Sequence, residues 1–224
     1  MFITIEGLDG AGKSTQIKLL ENYFTAKSKK HKFLHFPRFD APFFGDMIAK
    51  FLRGDFGNVD NVNPYIVALL FAEDRHDAAK TIRNWLDQDY TVIVDRYVYS
   101  NIGYQCAKLA NKNERDILKK WILNLEYDYF KIPKPDVSIF LDVPFKFTEN
   151  KLNEARNGSD RDYLEGKQDI HEANLDLQRQ VREIYLEQQA VDANFKVVNC
   201  NHENGEMLAP QQIFEQIIQN LTNI

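Results

Sequence analysis

Residues 7–14 read Gly7-Leu8-Asp9-Gly10-Ala11-Gly12-Lys13-Ser14, a complete G-x-x-x-x-G-K-S run, and few stretches this short restrict a fold so tightly. Such a loop works only where a strand delivers it and a helix leaves it. Phe2-Ile3-Thr4-Ile5 reads as a short buried strand, and the segment Thr15 to Phe24 reads as an amphipathic helix. Glycines let backbone N–H groups curl around anionic oxygens, and the helix N-terminus adds the positive end of its dipole. Lys13 then reaches β- and γ-phosphates, and the Ser14 hydroxyl suits a Mg²⁺ position. The predicted cradle is Gly7, Leu8, Asp9, Gly10, Ala11, Gly12, Lys13, Ser14 and Thr15, and its predicted ligand is a nucleoside triphosphate. A chance glycine loop is the bland alternative; strand, spacing and helix together argue against it.

Five short apolar runs read as strands: Phe2–Glu6, Lys32–Phe36, Thr91–Asp95, Val137–Asp142 and Lys196–Cys200. Helical stretches separate them, which calls for a parallel sheet covered on both faces, an α/β fold. Asn63 and Pro64 predict the cap and first turn of a long helix through Trp85. A helix after Pro144 runs into the polar segment 156–162, which reads as a flap. Further helices are predicted from about Lys167 to Gln189 and from Pro210 to Leu221. No linker divides the 224 residues, so one domain over 1–224 is expected, with its flap at about 153–166.

A net charge of -5 offers no broad basic face, which argues against a general nucleic-acid partner. The run Lys27, Lys29, Lys30, His31, Lys32 reads as a solvated helix end. Cys106 and Cys200 are far apart and lack C-x-x-C spacing, so neither a disulfide framework nor a zinc site is expected. No signal peptide or membrane span is read, and a cytoplasmic enzyme is the expectation.

Asp95 ends an apolar strand, a position that holds Mg²⁺ in phosphate-loop enzymes, and Arg96-Tyr97 follow at once. An arginine at that strand end points into the crevice where open α/β sheets bind ligands, and its guanidinium suits a second phosphate group. A structural ion pair is the competing role for Arg96. Asn101, Tyr104 and Gln105 share one face of the next helix, a polar stripe suited to a base and sugar. Phe71 and Arg75, one turn apart, offer a stacking ring beside a donor. Either alone reads more simply as a core ring or a surface charge.

Together these residues resemble the thymidylate kinases, a family of P-loop nucleoside-monophosphate kinases. The resemblance rests on IEGLDGAGKST, HFPRF, LLFAEDR, VDRYVYSNIGYQ, PKPD, FLDVP and DRDYLEG, which span nearly the whole chain. It implies a three-layer α/β/α fold with a five-stranded parallel sheet and a helical lid, a homodimer, and transfer of phosphate from Mg-ATP to dTMP. By the same resemblance Phe71 stacks on thymine, Arg75 donates to its O4 and Asn101 meets the ring edge. Tyr104 lies against the sugar near C2′, with Gln105 alongside. Arg38 and Arg96 grip the 5′-phosphate. Asp9 lies between sugar and metal, with Ser14 and Asp95 as the other metal positions, and Lys13 bridges the two phosphates.

Two departures stand out. Relatives with a basic residue at the position of Gly10 carry their catalytic charge in the loop; this chain instead implies lid arginines, Arg156 and Arg161. Phe39, which the resemblance implies is a substrate-binding residue, stands where close relatives often have Tyr, and a ring without a hydroxyl cannot hydrogen-bond the phosphate. Tyr99 and Tyr163 receive no role. Three rivals stay open: a deoxynucleoside kinase, disfavoured because Phe36-Pro37-Arg38 puts Arg where a Glu base is needed; another monophosphate kinase, for UMP or CMP, chemically similar; and a nucleotide-binding switch without transfer activity.

Overall fold

A computed structural model describes residues 1–59, 61–153 and 159–222, with all their side chains except those at 153 and 159–161. The strands are β1 (Phe2–Gly7), β2 (His31–His35), β3 (Thr91–Asp95), β4 (Val137–Asp142) and β5 (Phe195–Asn199). All pair in parallel, in the order β2-β3-β1-β4-β5. Helices α1 (Lys13–Ala26), α2 (Phe44–Leu52), α3 (Pro64–Asp87), α4 (Val98–Cys106), α5 (Lys112–Leu123), α6 (Phe145–Asn153), α7 (Leu175–Gln188) and α8 (Pro210–Thr222) flank the sheet. α1 packs with α8, while α4 packs with α3, α5 and α7. This is the expected three-layer α/β/α architecture.

The apolar runs follow from this topology. β1 and β3 are buried from end to end because both faces of a central parallel strand are covered. β2 lies at the sheet edge, where the half-exposed Lys32 and the exposed His35 are tolerated. From β1 the chain passes beyond β3 to β2, returns through β3, and then crosses to β4 on the other side of β1. The carboxyl ends of β1 and β3 therefore meet where the strand order reverses, and a crevice opens outside them. Pairing of Ile5 with Asp95 sets the glycine loop directly beside residues 95–97.

Local chemistry sets the helix starts. The Asn63 side chain accepts from the Tyr65 N–H at 2.9 Å, with Pro64 in the first turn, as the sequence predicts. The helix predicted from Lys167 instead begins at Leu175. Asp169 takes the N–H groups of His171 (2.8 Å) and Glu172 (3.3 Å), and Asn174 caps α7 at the Leu177 N–H (2.9 Å). Those side-chain acceptors compete with the helical ladder and hold 167–174 out of it. A small second core of Ile48, Phe51, Leu52 and Val67 joins α2 to α3, and Phe39, Phe71, Tyr163 and Ile170 pack on it.

Candidate active site

The crevice is a cleft of about 1410 Å³ running from the glycine loop to α3 and α4. Gly10 and Gly12 sit at φ 77° and 82°. A Cβ on Gly12 would meet nothing within 4 Å, so backbone conformation rather than space demands glycine there. Lys13 is buried and its ammonium donates to the Leu8 carbonyl at 3.1 Å. Burial and the nearby Arg96 lower its pKa, while Asp95, Asp9 and Glu6 act in the opposite sense.

Asp95 pairs with His35 at 3.3 Å. Burial alone would raise its pKa, but Lys13 and His35 hold it below the usual carboxylate range. Its Oδ1 is buried and has no hydrogen-bond partner. An ionised, unpartnered carboxylate oxygen on a residue that lines the same cleft as Ser14 suits a hard cation that takes most of its other ligands from phosphate and water. The residues present therefore fit Mg²⁺.

Arg96 is the hub of the site. It lies at φ 64°, left-handed and strained for an arginine, directly after β3. Its Nη2 donates to Asp9 Oδ1 at 2.6 Å and lies 3.3 Å from the Tyr104 hydroxyl. Tyr104 donates to Asp9 Oδ2 at 2.6 Å, and Gln178 Nε2 donates to the same oxygen at 2.9 Å. Burial pushes Asp9 up, yet Arg96 and Lys13 hold it well below the ordinary range. Below this network Glu6 is fully buried and accepts from the Tyr97 N–H (2.9 Å), Ser100 (2.6 Å) and Tyr185 (3.0 Å). The Tyr97 bond braces the turn that carries Arg96.

At the far end, Arg75 is 2% exposed and forms a bidentate pair with the wholly buried Glu126, at 2.5 and 2.7 Å. Asn101 Nδ2 donates to Glu126 and to the Ala68 carbonyl, both at 3.0 Å. Both neighbours are acceptors, so the remaining Asn101 atom, buried and unpartnered, is its carbonyl oxygen. Phe71 lines the same end, edge-on to Phe51, and Gln105 accepts from Lys108 at 2.7 Å.

Of the residues singled out by sequence, Asp9 to Thr15, Phe39, Phe71, Arg75, Asp95, Arg96, Asn101, Tyr104 and Gln105 line this one cleft. Gly7 and Leu8 lie beneath it; a Cβ at Gly7 would sit 3.2 Å from that of Ala11. Arg38 is not brought to the lining: Asp74 holds it at 2.8 Å and Asp77 at 2.6 Å. Phe39 stacks flat on Tyr163, with centroids 3.8 Å apart. Tyr163 in turn donates to Asp169 at 2.8 Å, which gives this tyrosine a place as a brace. Tyr99 donates to Asp192 and packs edge-on to Phe195, away from the cleft lining. Arg156 and the Arg161 side chain lie outside the described residues.

Sequence reading missed Glu6, Glu126, Asp169, His171 and Gln178. Glu6 alone carried a signal, a carboxylate inside an otherwise apolar strand. The others sit in polar helices and turns where such residues are ordinary.

A family model described as thymidylate kinase matches residues 5–209. The thymidylate kinase of Mycobacterium tuberculosis is 32% identical over 211 residues, covering 93% of this chain and 96% of that protein. A probable thymidylate kinase of Thermococcus kodakarensis is 34% identical over 205 residues, 89% of each chain. The solved structure of thymidylate kinase from Candida albicans superposes with a TM-score of 0.72 at 25% identity, covering 99% of this chain and 91% of that one.

Proposed function

We propose that this chain, which belongs to the thymidylate kinase family, catalyses ATP + dTMP → ADP + dTDP with Mg²⁺. The observation that carries the substrate is the Glu126 clamp. It fixes Arg75 and Asn101 so that they offer one donor, the Arg75 Nη1 left over from the clamp, and one acceptor, Asn101 Oδ1. Thymine presents the complement, an O4 acceptor beside an N3–H donor, whereas cytosine presents the reverse. Phe71 supplies the stacking face.

The acceptor phosphate has a second pKa of about 6, so it is largely ionised at neutral pH and needs no general base. The chain's task is to gather two anions that repel one another. Lys13 and Arg96 hold the donor and acceptor phosphates together, and Asp9 orients Arg96. Bound near Ser14, Asp95 and Asp9, Mg²⁺ would neutralise charge on the β- and γ-phosphates. Arg38 is a second ligand for the acceptor phosphate, reached by releasing Asp77, the exposed one of its two partners. Arg161 and Arg156 of the lid supply the transition-state charge that the loop lacks at Gly10. We place the enzyme in the cytoplasm as a homodimer. Free, buried Cys106 and Cys200 support the compartment, and the exposed Ile66 and Leu69 on α3 support the dimer. Among the described residues no helix is long and apolar enough to cross a membrane.

A panel of dTMP, dUMP, UMP, CMP and thymidine, each with ATP and with GTP, tests this. dTMP should be turned over fastest with ATP, and thymidine hardly at all; rapid use of thymidine in place of dTMP would overturn the reading. In the same assay Arg161→Ala should lower kcat by ~10³-fold or more. A change confined to KM would remove the lid arginine from the mechanism.

A further inference from the structure

Asp169 and His171 are buried, titratable side chains of the cleft to which this mechanism gives no work, and of the two His171 carries a ring. It sits on the segment between the lid and α7, 5% exposed. Its backbone is held from both sides: the N–H donates to Asp169 at 2.8 Å, and the carbonyl accepts from Gln178 at 3.1 Å. Its ring stacks on Tyr104, with centroids 4.9 Å apart and planes 25° off parallel. The same ring meets Phe51 edge-on at 5.3 Å, and Phe51 meets Phe71 at 6.4 Å. Four rings thus run unbroken from the base platform to the sugar wall. The imidazole Nε2 is buried without a hydrogen-bond partner, which is not the condition of a satisfied core histidine.

We propose that His171 is a specificity-determining positioning residue, whose ring fixes the Tyr104 plane against which the deoxyribose lies. The proposal rests on the reading of Tyr104 as the sugar wall. Tyr104 needs such a support. Its hydroxyl is held by Asp9 at 2.6 Å, Arg96 at 3.3 Å and Gln178 at 3.4 Å, but contacts to that one atom leave the ring free to turn about the phenolic axis. A flat partner on its face removes that freedom, and a 2′-hydroxyl then meets a wall that cannot yield. Burial first, and Lys108 second, hold the imidazole well below its ordinary pKa. The ring therefore stays uncharged beside the Arg96 guanidinium, and stacking rather than ion pairing is its contribution.

The test compares dTMP with ribothymidine 5′-monophosphate, which differ only at the 2′ position, in the wild type, His171→Leu and His171→Phe. Leucine fills the space without a plane; phenylalanine restores the plane without the nitrogen. The wild type should favour dTMP in kcat/KM. His171→Leu should shrink that preference by about tenfold or more, mainly through KM, while His171→Phe keeps it within about threefold. Equal losses on both nucleotides in His171→Leu would show a merely structural role and overturn the proposal. So would a loss of preference in His171→Phe, which decides the matter even if the leucine variant does not fold. A wild type that used both nucleotides equally would instead overturn the sugar-wall reading, and the proposal with it.

Discussion

Arg96 is held in a backbone conformation that costs an arginine of order 1–3 kcal/mol, and the cost falls where charge must be aimed. The Tyr97 N–H on Glu6 and the guanidinium on Asp9 together over-determine the turn. Asp169 shows the opposite balance. It takes three donors, yet burial, and then the nearby Asp9, push its pKa from 3.8 up to about 6. Between these values the folded state keeps a proton that the unfolded chain has released, so Asp169 costs the fold more as pH rises through that window. Above the window the cost is constant. Asp169→Asn keeps an acceptor for the two backbone N–H groups and an amide for Tyr163, but cannot ionise. The Tm of the variant minus that of the wild type should therefore climb from about pH 4 to about pH 6 and then level off. A difference that stayed flat across the window would show that the carboxyl is not held protonated.

Among the elements, the segment 162–170 is the one whose attachment can be loosened without touching the sheet. Arg53, just beyond α2, donates to the Tyr163 carbonyl at 2.9 Å and to Glu165 at 2.6 Å, and the Ile170 N–H donates to the Leu52 carbonyl at 2.9 Å. The Phe39–Tyr163 stack closes the other side. Hydrogen bonds to charged groups contribute about 1.5–3 kcal/mol, so Arg53→Ala should raise hydrogen exchange at the Ile170 amide by roughly tenfold or more, with β1 and β3 unaffected. Unchanged exchange would mean that the stack, the Lys167–Asp55 pair and the Ile170–Leu52 bond hold the segment without Arg53.

This is also where sequence said least. β1 and β3 were legible because a parallel sheet demands continuous apolar runs, and α3 because Asn63-Pro64 spells its start. The start of α7 was not, since Asp169 and Asn174 look like ordinary helix-surface residues until their partners are seen. Phe39 read as the absence of one hydroxyl contact to the phosphate, and its flat stack against Tyr163 carried no signal in the sequence. The site divides the same way. Residues fixed by the loop and the strand ends could be read, but Glu126, His171 and Gln178 act through partners 25 to 169 positions away.

At the scale of the molecule the cleft draws its lining from Asp9 to Glu172, so filling it should stabilise the whole fold. At about one hundred times its Kd, dTMP should add about 2.7 kcal/mol, roughly 5–10 °C in Tm for a chain of this size. CMP at the same concentration should add far less; an equal shift would contradict the donor–acceptor match to thymine. The strand order carries a last consequence, for synthesis on the ribosome. β1 leaves first, but its two neighbours are β3 and β4, so it has no partner on either side until Thr91 and then Asp142 have emerged. A growing chain must carry that apolar ribbon, with the glycine loop at its end, unpaired until β3 has emerged and open on one side until β4 has. A nascent chain stalled before α7 also lacks Gln178, and with it one of the three donors that set Asp9. Turnover should therefore begin only once α7 has emerged.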